Sequence, residues 1–236
     1  MPDTAGLEAT ATDKAGVRVK LWDVPVRTIH WAIVLLMPAL WWTGENSDLT
    51  LHKQLGHVML GLVVFRLFWG FAGSSTARFA SFLRGPRAIA SYASGLFGKE
   101  REVVVGHNPL GGWSAALLLV LLAAQVSIGL FAQDIDGIES GPLSYLVSYD
   151  TADAARGWHH LLFNMLLGFV ALHVAAILFY LIVKRDNLVG PMITGSKAVA
   201  VAVEQPRFAP LWRVAVGVVL STALAWWISV GAPLGG

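Results

Sequence analysis

Four histidines occur within long apolar stretches of the sequence, namely His30, His52, His159 and His173. Ionisable side chains inside a membrane span are rare, and by default they indicate a functional site. An imidazole in such a place serves as a metal ligand or as a proton carrier. The chain has no cysteine, which excludes disulfides, iron–sulfur clusters, cysteine-ligated zinc and covalent CxxCH haem attachment. Any metal centre must therefore use histidine or carboxylate ligands, and any haem must be held non-covalently.

Two of these histidines lie on one predicted helix, Trp158–Arg185, which is long enough to cross a bilayer. At ~100° and ~1.5 Å per residue, His159 and His173 fall within about 40° of the same helix face and about 21 Å apart along the axis. Two stacked sites on one face are therefore predicted. The adjacent His160 is rotated by about 220° from His173 and is expected to face away from both sites.

The elements that must position these residues are membrane helices. Of the 236 residues, 56% are hydrophobic and 14% are charged, whereas about 25% of the residues in soluble domains are charged. The net charge of +2 is too small to favour a nucleic-acid partner. Apolar runs of ~20 residues predict five spans, at about Asp23–Trp42, Thr50–Phe71, Trp113–Phe131, Trp158–Arg185 and Leu211–Val230.

Local signals set the ends of these helices. Asp23 is predicted to cap the first span, with a proline in its first turn, and Asp153 is predicted to cap the fourth. The pair Asn108-Pro109 ends the turn before the third span. The segment Pro86–Phe97 is too short to span, and its spaced apolar residues predict a helix that lies in the membrane interface.

Charge predicts the orientation of the spans. Most basic residues lie in the N-terminal tail, in the loop 73–112 and after Arg185, whereas the connections 43–49 and 132–155 are acidic. The positive-inside rule then places the N-terminus in the cytoplasm and the C-terminus, after a fifth span, outside.

Depth then predicts which histidines meet. His52 and His159 both open their spans from the outer side, while His30 and His173 lie nearer the inner side. We therefore expect an outer pair, His52 with His159, and an inner pair, His30 with His173. Four imidazoles at two depths of a helix bundle match two bis-histidine haem sites built between facing helices.

Two arginines lie where they can serve the inner pair. Arg66 follows His52 by fourteen residues, which returns it to the same face near the inner site, and its guanidinium can bind a haem propionate there. Arg27, one turn before His30, can do the same. Either side chain can instead pair with a carboxylate or extend to the inner surface.

The other three histidines are expected to have lesser roles. His57 lies about 140° from His52, so we expect it, like His160, to be a packing residue or a hydrogen-bond donor to a propionate or a quinone. His107 lies in a turn on the cytoplasmic side and is expected to be a solvated loop residue.

A series of motifs in a fixed order carries a resemblance to a known family. The motifs are VKLWDVPVRTIHW, HKQLGHVMLGLVVFRLFWGFAG, GHNPLGGW, the histidine-bearing stretch 158–173 and DNLVGPMITGSK. Together they resemble the prokaryotic cytochrome b561 family, which includes the b-type cytochrome subunits of Ni–Fe hydrogenases. The resemblance covers about Val19 to Lys197, and it divides the chain into a flexible tail (1–18), a di-haem membrane domain (19–197) and a connector with a fifth span (198–236).

The resemblance implies an all-α integral membrane protein, with a four-helix bundle that holds two b haems between helices one, two and four. By the family pattern His30 and His52 match the ligands on helices one and two, and His159 and His173 match those on helix four. The fifth span departs from the four-helix pattern, so the sequence leaves open whether it packs on the bundle or serves a partner.

The expected function is respiratory electron transfer across the bacterial cytoplasmic (inner) membrane by a di-haem b cytochrome, between the quinone pool and a redox partner. Such a chain is an electron carrier, or part of a quinone-linked oxidoreductase, rather than an enzyme by itself. Expected partners are the lipid bilayer, a quinone, a soluble or peripheral redox protein and a second copy of the chain. Two alternatives stay open: a transporter with a histidine proton or metal-ion relay, and a haem-containing anchor for a dehydrogenase or hydrogenase.

Overall fold

The structure is a computed structural model that describes residues 17–96, 98, 106–199 and 203–233. Residues 1–16 of the predicted tail lie outside this range, as do Phe97 at the end of the predicted interfacial helix and the basic residues Lys99 and Arg101. The elements run in the order β1 (Val17–Lys20), α1 (Val24–Glu45), α2 (Leu49–Ala72), α3 (Phe79–Phe82), α4 (Pro86–Gly95), α5 (Pro109–Gly129), α6 (Tyr149–Ile182), α7 (Val189–Thr194), β2 (Ser196–Val199) and α8 (Leu211–Ser229).

Five of these helices, α1, α2, α5, α6 and α8, are long and apolar enough to cross a membrane. The prediction of five spans in a helical membrane protein is therefore confirmed. The outer faces of the helices carry many exposed large apolar side chains, such as Leu172, Ile182 and Trp226. Lipid is the solvent that such faces require, because the same area would be costly to expose to water.

One of the two predicted caps, Asp23, is confirmed, and Asn108 caps α5, which begins at Pro109 and not at Trp113. The carboxylate of Asp23 accepts a hydrogen bond from the backbone N–H of Val26 at 2.9 Å, and the side-chain oxygen of Asn108 accepts one from Gly111 N–H at 2.7 Å. The predicted cap at Asp153 is wrong, because α6 begins at Tyr149 and Ser148 caps it.

Helix α6 extends beyond the membrane span that the sequence predicts. Its 34 residues measure ~51 Å at ~1.5 Å per residue, compared with about 30 Å for the hydrocarbon core of a bilayer. Asp153 lies inside the additional turns, where its carboxylate pairs with Arg156 at 2.6 Å. The polar stretch before Trp158 thus continues the helix outward because a neighbouring ion pair supports it.

The five long helices pack as two groups that meet through α2 and α5. Helices α1 and α8 both pack against α2, and α5 packs against α6. A buried cluster of Met59, Val63, Leu121, Leu122 and Leu166 joins α2, α5 and α6. Helices α1 and α6 approach each other through side chains, as between the rings of Trp41 and Phe163, whose centroids are 6.1 Å apart.

The fifth span packs on the bundle. Gly217 of α8 lies against Phe65 and Phe68 of α2, so closely that a Cβ atom at this glycine would come within 2.8 Å of the Phe68 ring. Gly61 of α2 in turn faces Ala225 of α8. Small residues at such crossings allow the two backbones to approach closely in a membrane.

A two-stranded antiparallel sheet, which the sequence did not predict, joins the two ends of the family motif region. Val19 of β1 pairs with Lys197 of β2. Leu21 N–H also donates to the carbonyl of Gly195 at 2.7 Å, and this glycine has a φ of +82° and a Cβ position only 3.0 Å from the Trp22 carbonyl. Four spans separate the strands, so both lie on the same side of a membrane.

A short helix, α4, forms within the segment predicted to be interfacial. Its Tyr92 hydroxyl lies 2.8 Å from the Tyr180 hydroxyl near the end of α6. All of its residues are exposed or only partly buried, as expected for a helix that packs on one side only. The helix itself is confirmed, whereas its location in the membrane interface stays a prediction.

Candidate functional site

The structure brings the rings of His52 of α2 and His159 of α6 close together. Their ring centroids are 6.2 Å apart, with an angle of 80° between the ring planes. A single metal ion bound through Nε2 of both rings, with bonds of about 2.0–2.1 Å, requires centroids about 6 Å apart. The separation therefore suits one metal ion held between two axial imidazoles.

Backbone carbonyls fix the protonation of both rings. The Nδ1 atom of His52 lies 2.9 Å from the carbonyl oxygen of Leu40, and Nδ1 of His159 lies 3.0 Å from the carbonyl oxygen of Gln125. A carbonyl oxygen only accepts, so each Nδ1 carries the proton and donates it. The Nε2 lone pair of each neutral ring is then available to a metal, which is the tautomer that metal-bound histidines commonly adopt.

A glycine one turn beyond each carbonyl makes this contact possible. Gly44 follows Leu40 by four residues and Gly129 follows Gln125 by four. A Cβ atom at Gly44 would lie 3.4 Å from the His52 ring, and one at Gly129 would lie 2.8 Å from Cε1 of His159. The two helices, α1 and α5, therefore present the same feature to the two imidazoles: an accepting carbonyl beside a residue without a side chain.

The outer pair lines a cavity of about 650 Å³ between the helices. This volume is within the range of sites that enclose cofactor-sized ligands. His57 and His160, which lie off the predicted helix faces, also line this cavity. Their predicted roles, packing or a hydrogen bond to a propionate or a quinone, stay predictions.

The loop between α5 and α6 covers the outer end of the cavity. Glu139 in this loop forms an ion pair with Lys53 of α2 and accepts a hydrogen bond from the Thr50 hydroxyl at 3.3 Å. The hydrogen bond and charge of Lys53 lower the pKa of the Glu139 carboxyl. The acidic loop is therefore tied to the second span through a charged contact at the protein surface.

The inner pair, His30 of α1 and His173 of α6, is arranged differently. Both rings are partly buried. His30 also makes an edge contact with the Trp31 ring at 5.3 Å. The association of His30 with His173 at the second depth stays a prediction.

Both predicted arginines lie at this inner end. Arg27 donates through Nη1 to the carbonyl of Ile193, while its Nε is buried without a hydrogen-bond partner among the described residues. The Arg66 guanidinium lies over the Phe79 ring at 5.5 Å and has a long contact of 3.5 Å to the Ala77 carbonyl. Neither arginine forms an ion pair within the part of the chain that the structure describes.

His107 is not the solvated loop residue that the sequence predicts. Its ring lies 4.7 Å from Trp22 and 4.6 Å from Phe82, and its Nδ1 is buried without a partner in the described structure. Burial, together with the charges of Arg66 and His173, lowers the pKa of His107 to about 4, so the ring is neutral at pH 7. A buried polar atom without a partner costs about 1–3 kcal/mol.

The donor sets fit haem better than a metal ion held by protein ligands alone. Among the described residues, no three His, Asp or Glu side chains form a cluster that could hold a metal ion, whereas the rings of His52 and His159 lie 6.2 Å apart as a pair. A bis-histidine haem needs two axial imidazoles, an apolar slot and donors for its carboxylates. The outer pair with its cavity provides the first two, and the buried nitrogens of Arg27 and His107 provide donors at the inner end.

The chain belongs to the prokaryotic cytochrome b561 family, because the family model of that description matches residues 21–195. It is therefore a multi-pass membrane protein of the b-type cytochrome class, for which haem b and electron transport are family properties. No solved structure matches the chain.

Relatives in several bacteria have names that refer to hydrogenases. The chain is 26% identical to a probable Ni/Fe-hydrogenase B-type cytochrome subunit of Bradyrhizobium diazoefficiens, over 83% of this chain and 94% of the relative. A protein of the same name in Azotobacter chroococcum is 24% identical, over 75% of this chain and 87% of the relative. The probable Ni/Fe-hydrogenase 1 B-type cytochrome subunit of Escherichia coli K12 is 22% identical, over 75% and 90%.

Some residues at the site were missed by sequence reasoning. The side-chain pattern does not indicate that the carbonyls of Leu40 and Gln125 accept hydrogen bonds from histidines. The glycine four residues after each of them could have suggested that another side chain packs there. The burial of His107 depends on Trp22 and Phe82, which are distant in the sequence, so its chemistry could not be inferred from the local motif alone.

Proposed function

We propose that the chain is a di-haem b-type cytochrome that carries electrons across the bacterial cytoplasmic membrane between the quinone pool and a redox partner. The observation that carries this proposal is the outer pair, His52 and His159, whose spacing and tautomers suit two axial ligands. The inner pair on α1 and α6 repeats the chemistry at a second depth, about 21 Å away along α6. Each bound haem supplies one-electron redox chemistry at its iron.

At the outer site, Nε2 of His52 and of His159 would bind the iron of one haem. The backbone carbonyls of Leu40 and Gln125 hold the two rings in the required orientation. The hydrogen bond to each Nδ1–H also raises the basicity of the ligating nitrogen. The apolar walls of the cavity keep water away and thereby influence the potential.

At the inner site, His30 and His173 would be the axial ligands. The nearby guanidinium groups of Arg27 and Arg66 would bind propionate carboxylates, since a buried cation without an ionic partner favours an anionic ligand. Helix α6 would then be the one helix that contributes an iron ligand to each haem.

The distribution of charge supports an N-terminus in the cytoplasm. In that orientation the sheet β1–β2, α4 and the inner pair face the cytoplasm, and the loop 132–155 faces outward. We place α4 in the cytoplasmic membrane interface, because it is short and packs on one side only.

The names of the relatives favour a second candidate function, that of a haem-containing membrane anchor for a hydrogenase or another dehydrogenase. The two functions are compatible, since an anchor with two haems can also carry electrons from its catalytic subunit to quinone. The acidic outer loop is a candidate docking surface for such a partner. Co-purification of a redox enzyme with the tagged chain from native membranes would support the anchor function.

The test is a pyridine haemochrome spectrum with a haem-to-protein ratio for the purified chain. We expect b-type bands and two haems per chain, falling to one in His159→Ala and in His173→Ala. His57→Ala, which removes a histidine outside the proposed pairs, is the matched control and should keep two haems. Colourless protein with pH-dependent ion flux would instead favour the histidine-relay transporter, and two haems in both single variants would contradict the ligand assignment.

A further inference from the structure

The segment Gly106–Asn108 contains a chemical group that the proposed ligands do not use. His107 has a buried Nδ1 without a hydrogen-bond partner among the described residues, although its ring is firmly placed. Trp22 makes an edge contact with it at 4.7 Å, and Phe82 lies against it at 4.6 Å. A polar atom fixed in such an aromatic slot is expected to have a ligand, because buried donors in folded proteins are almost always paired.

Neighbouring contacts hold this segment at the inner haem site. Asn108 donates from its side-chain amide to the Tyr180 hydroxyl of α6 at 3.1 Å. Tyr180 follows His173 by seven residues, which places the two within about 20° of the same helix face. The Arg66 guanidinium lies over the Phe79 ring, which contacts the Phe82 ring beside His107. The segment is therefore anchored to the face of α6 that carries the proposed inner ligand.

The surroundings of His107 select the class of ligand. Arg66 brings a positive charge to this place, and Arg27 has a second buried and unpartnered donor, its Nε, at the same end of the bundle. Two cationic groups and an N–H donor together favour a carboxylate, since hydrogen bonds to an ionised acceptor are about twice as strong as those between neutral groups.

We propose that His107 is a haem-binding residue, which donates its Nδ1–H to a propionate carboxylate of the inner haem beside Arg66. The inference rests on the proposed di-haem function. It makes the GHN segment part of the inner site, although this segment lies in a loop and on none of the helices that carry the proposed iron ligands.

Three substitutions separate this role from simple packing. His107→Phe keeps an aromatic ring between Trp22 and Phe82 but removes the donor. His107→Asn removes the ring but keeps an N–H close to the position of Nδ1, whereas His107→Gln moves that N–H toward the position of Nε2. A packing role predicts that Phe is tolerated and Asn is not, and a binding role predicts the reverse.

The measurement is a redox titration of each purified variant, combined with its haem-to-protein ratio. We expect His107→Phe and His107→Gln to lower the midpoint potential of one haem or to lose that haem, because an unpaired propionate places more negative charge near the iron. We expect His107→Asn to stay close to the wild type. The second haem should be unchanged in all three variants. Its presence is the control that each variant chain is folded.

Two outcomes overturn the inference. One is a His107→Phe variant with two haems and wild-type potentials, and the other is loss of the same haem in both His107→Phe and His107→Asn. A wild-type chain with one haem would overturn the di-haem function itself and this inference with it, and that result is distinguishable because it appears before any substitution is made.

Discussion

The outer and inner histidine pairs differ in what holds them. At the outer pair, regular helices orient the ligands. Backbone carbonyls of α1 and α5 accept hydrogen bonds from the rings of His52 and His159, and glycines on the same helices leave space for those rings. At the inner pair, the surrounding groups come from α1, α2 and the turn before α5, and two of their nitrogens, Arg27 Nε and His107 Nδ1, have no partner in the described structure. The buried atoms without a partner at the outer cavity are acceptors, Gln125 Oε1 and Asp134 Oδ1, so the two ends differ in the kind of group that they leave available to a ligand.

Of the substitutions that affect one site and not the other, Gly129→Val is expected to have the largest effect on haem content. A Cβ atom at this position lies 2.8 Å from Cε1 of His159, a distance at which the ring must move and lose its hydrogen bond to Gln125. We expect the haem-to-protein ratio to fall from two to one, with the inner haem retained. The measurement is the pyridine haemochrome ratio of the purified variant.

The matched control for this prediction is Gly157→Val. Gly157 lies in α6 only two residues before His159, but a Cβ atom there meets nothing within 4 Å. This variant should keep both haems, because it makes the same change near the same ligand without touching the ring. Equal haem loss in the two variants would show that the effect arises from helix propensity and not from the contact with His159.

A medium effect is expected at the inner end from Asp23→Ala. The Asp23 side chain is 8% exposed; it caps α1 through Val26 and accepts a hydrogen bond from the Trp69 indole N–H at 2.8 Å. Loss of the cap costs about 0.5–2 kcal/mol, and the unpaired buried indole adds about 1–3 kcal/mol. The midpoint of thermal unfolding in detergent should therefore fall markedly.

The variant Asp23→Asn tests how much of this destabilisation comes from the lost hydrogen bonds. Its side-chain oxygen can still accept one of the two hydrogen bonds, so the variant should unfold at a temperature between those of the wild type and of Asp23→Ala. If Asp23→Ala unfolds at the wild-type temperature, the tie between α1 and α2 does not stabilise the inner end.

The smallest effect is expected at the outer loop from Glu139→Gln. Since Lys53 lowers the carboxyl pKa of Glu139 in the folded chain, their contact stabilises the loop above the unfolded pKa of about 4.3 and is lost as pH falls through the lower folded pKa. Hydrogen-exchange protection of residues 132–143 should therefore decrease below pH ~4 in the wild type. In Glu139→Gln it should be lower already at pH 7 and should not change over the same range.

Hydropathy and motif order were sufficient for the spans, for the cap at Asp23 and for the family, because these depend on residues close together in the sequence. The rings of His52 and His159 lie close together, as position along the spans predicts, whereas their role as haem ligands stays a prediction. The start of α6 was placed too late, because the helix continues past the membrane on its own ion pair, Asp153 with Arg156. The sheet and the burial of His107 could not be predicted, since both depend on contacts between segments that are far apart in the chain.

The antiparallel sheet has a consequence for how the protein is assembled. Strand β1 leaves the ribosome before any span, but its partner β2 follows roughly 180 residues later, a delay of about 10–40 s at ordinary rates of synthesis. The pairing of Val19 with Lys197 is therefore a late event in biogenesis, and it requires that α1, α2, α5 and α6 have all inserted with the correct topology. A chain that has skipped one span would leave the two strands on opposite sides of the bilayer, so closure of the sheet marks the completion of correct insertion.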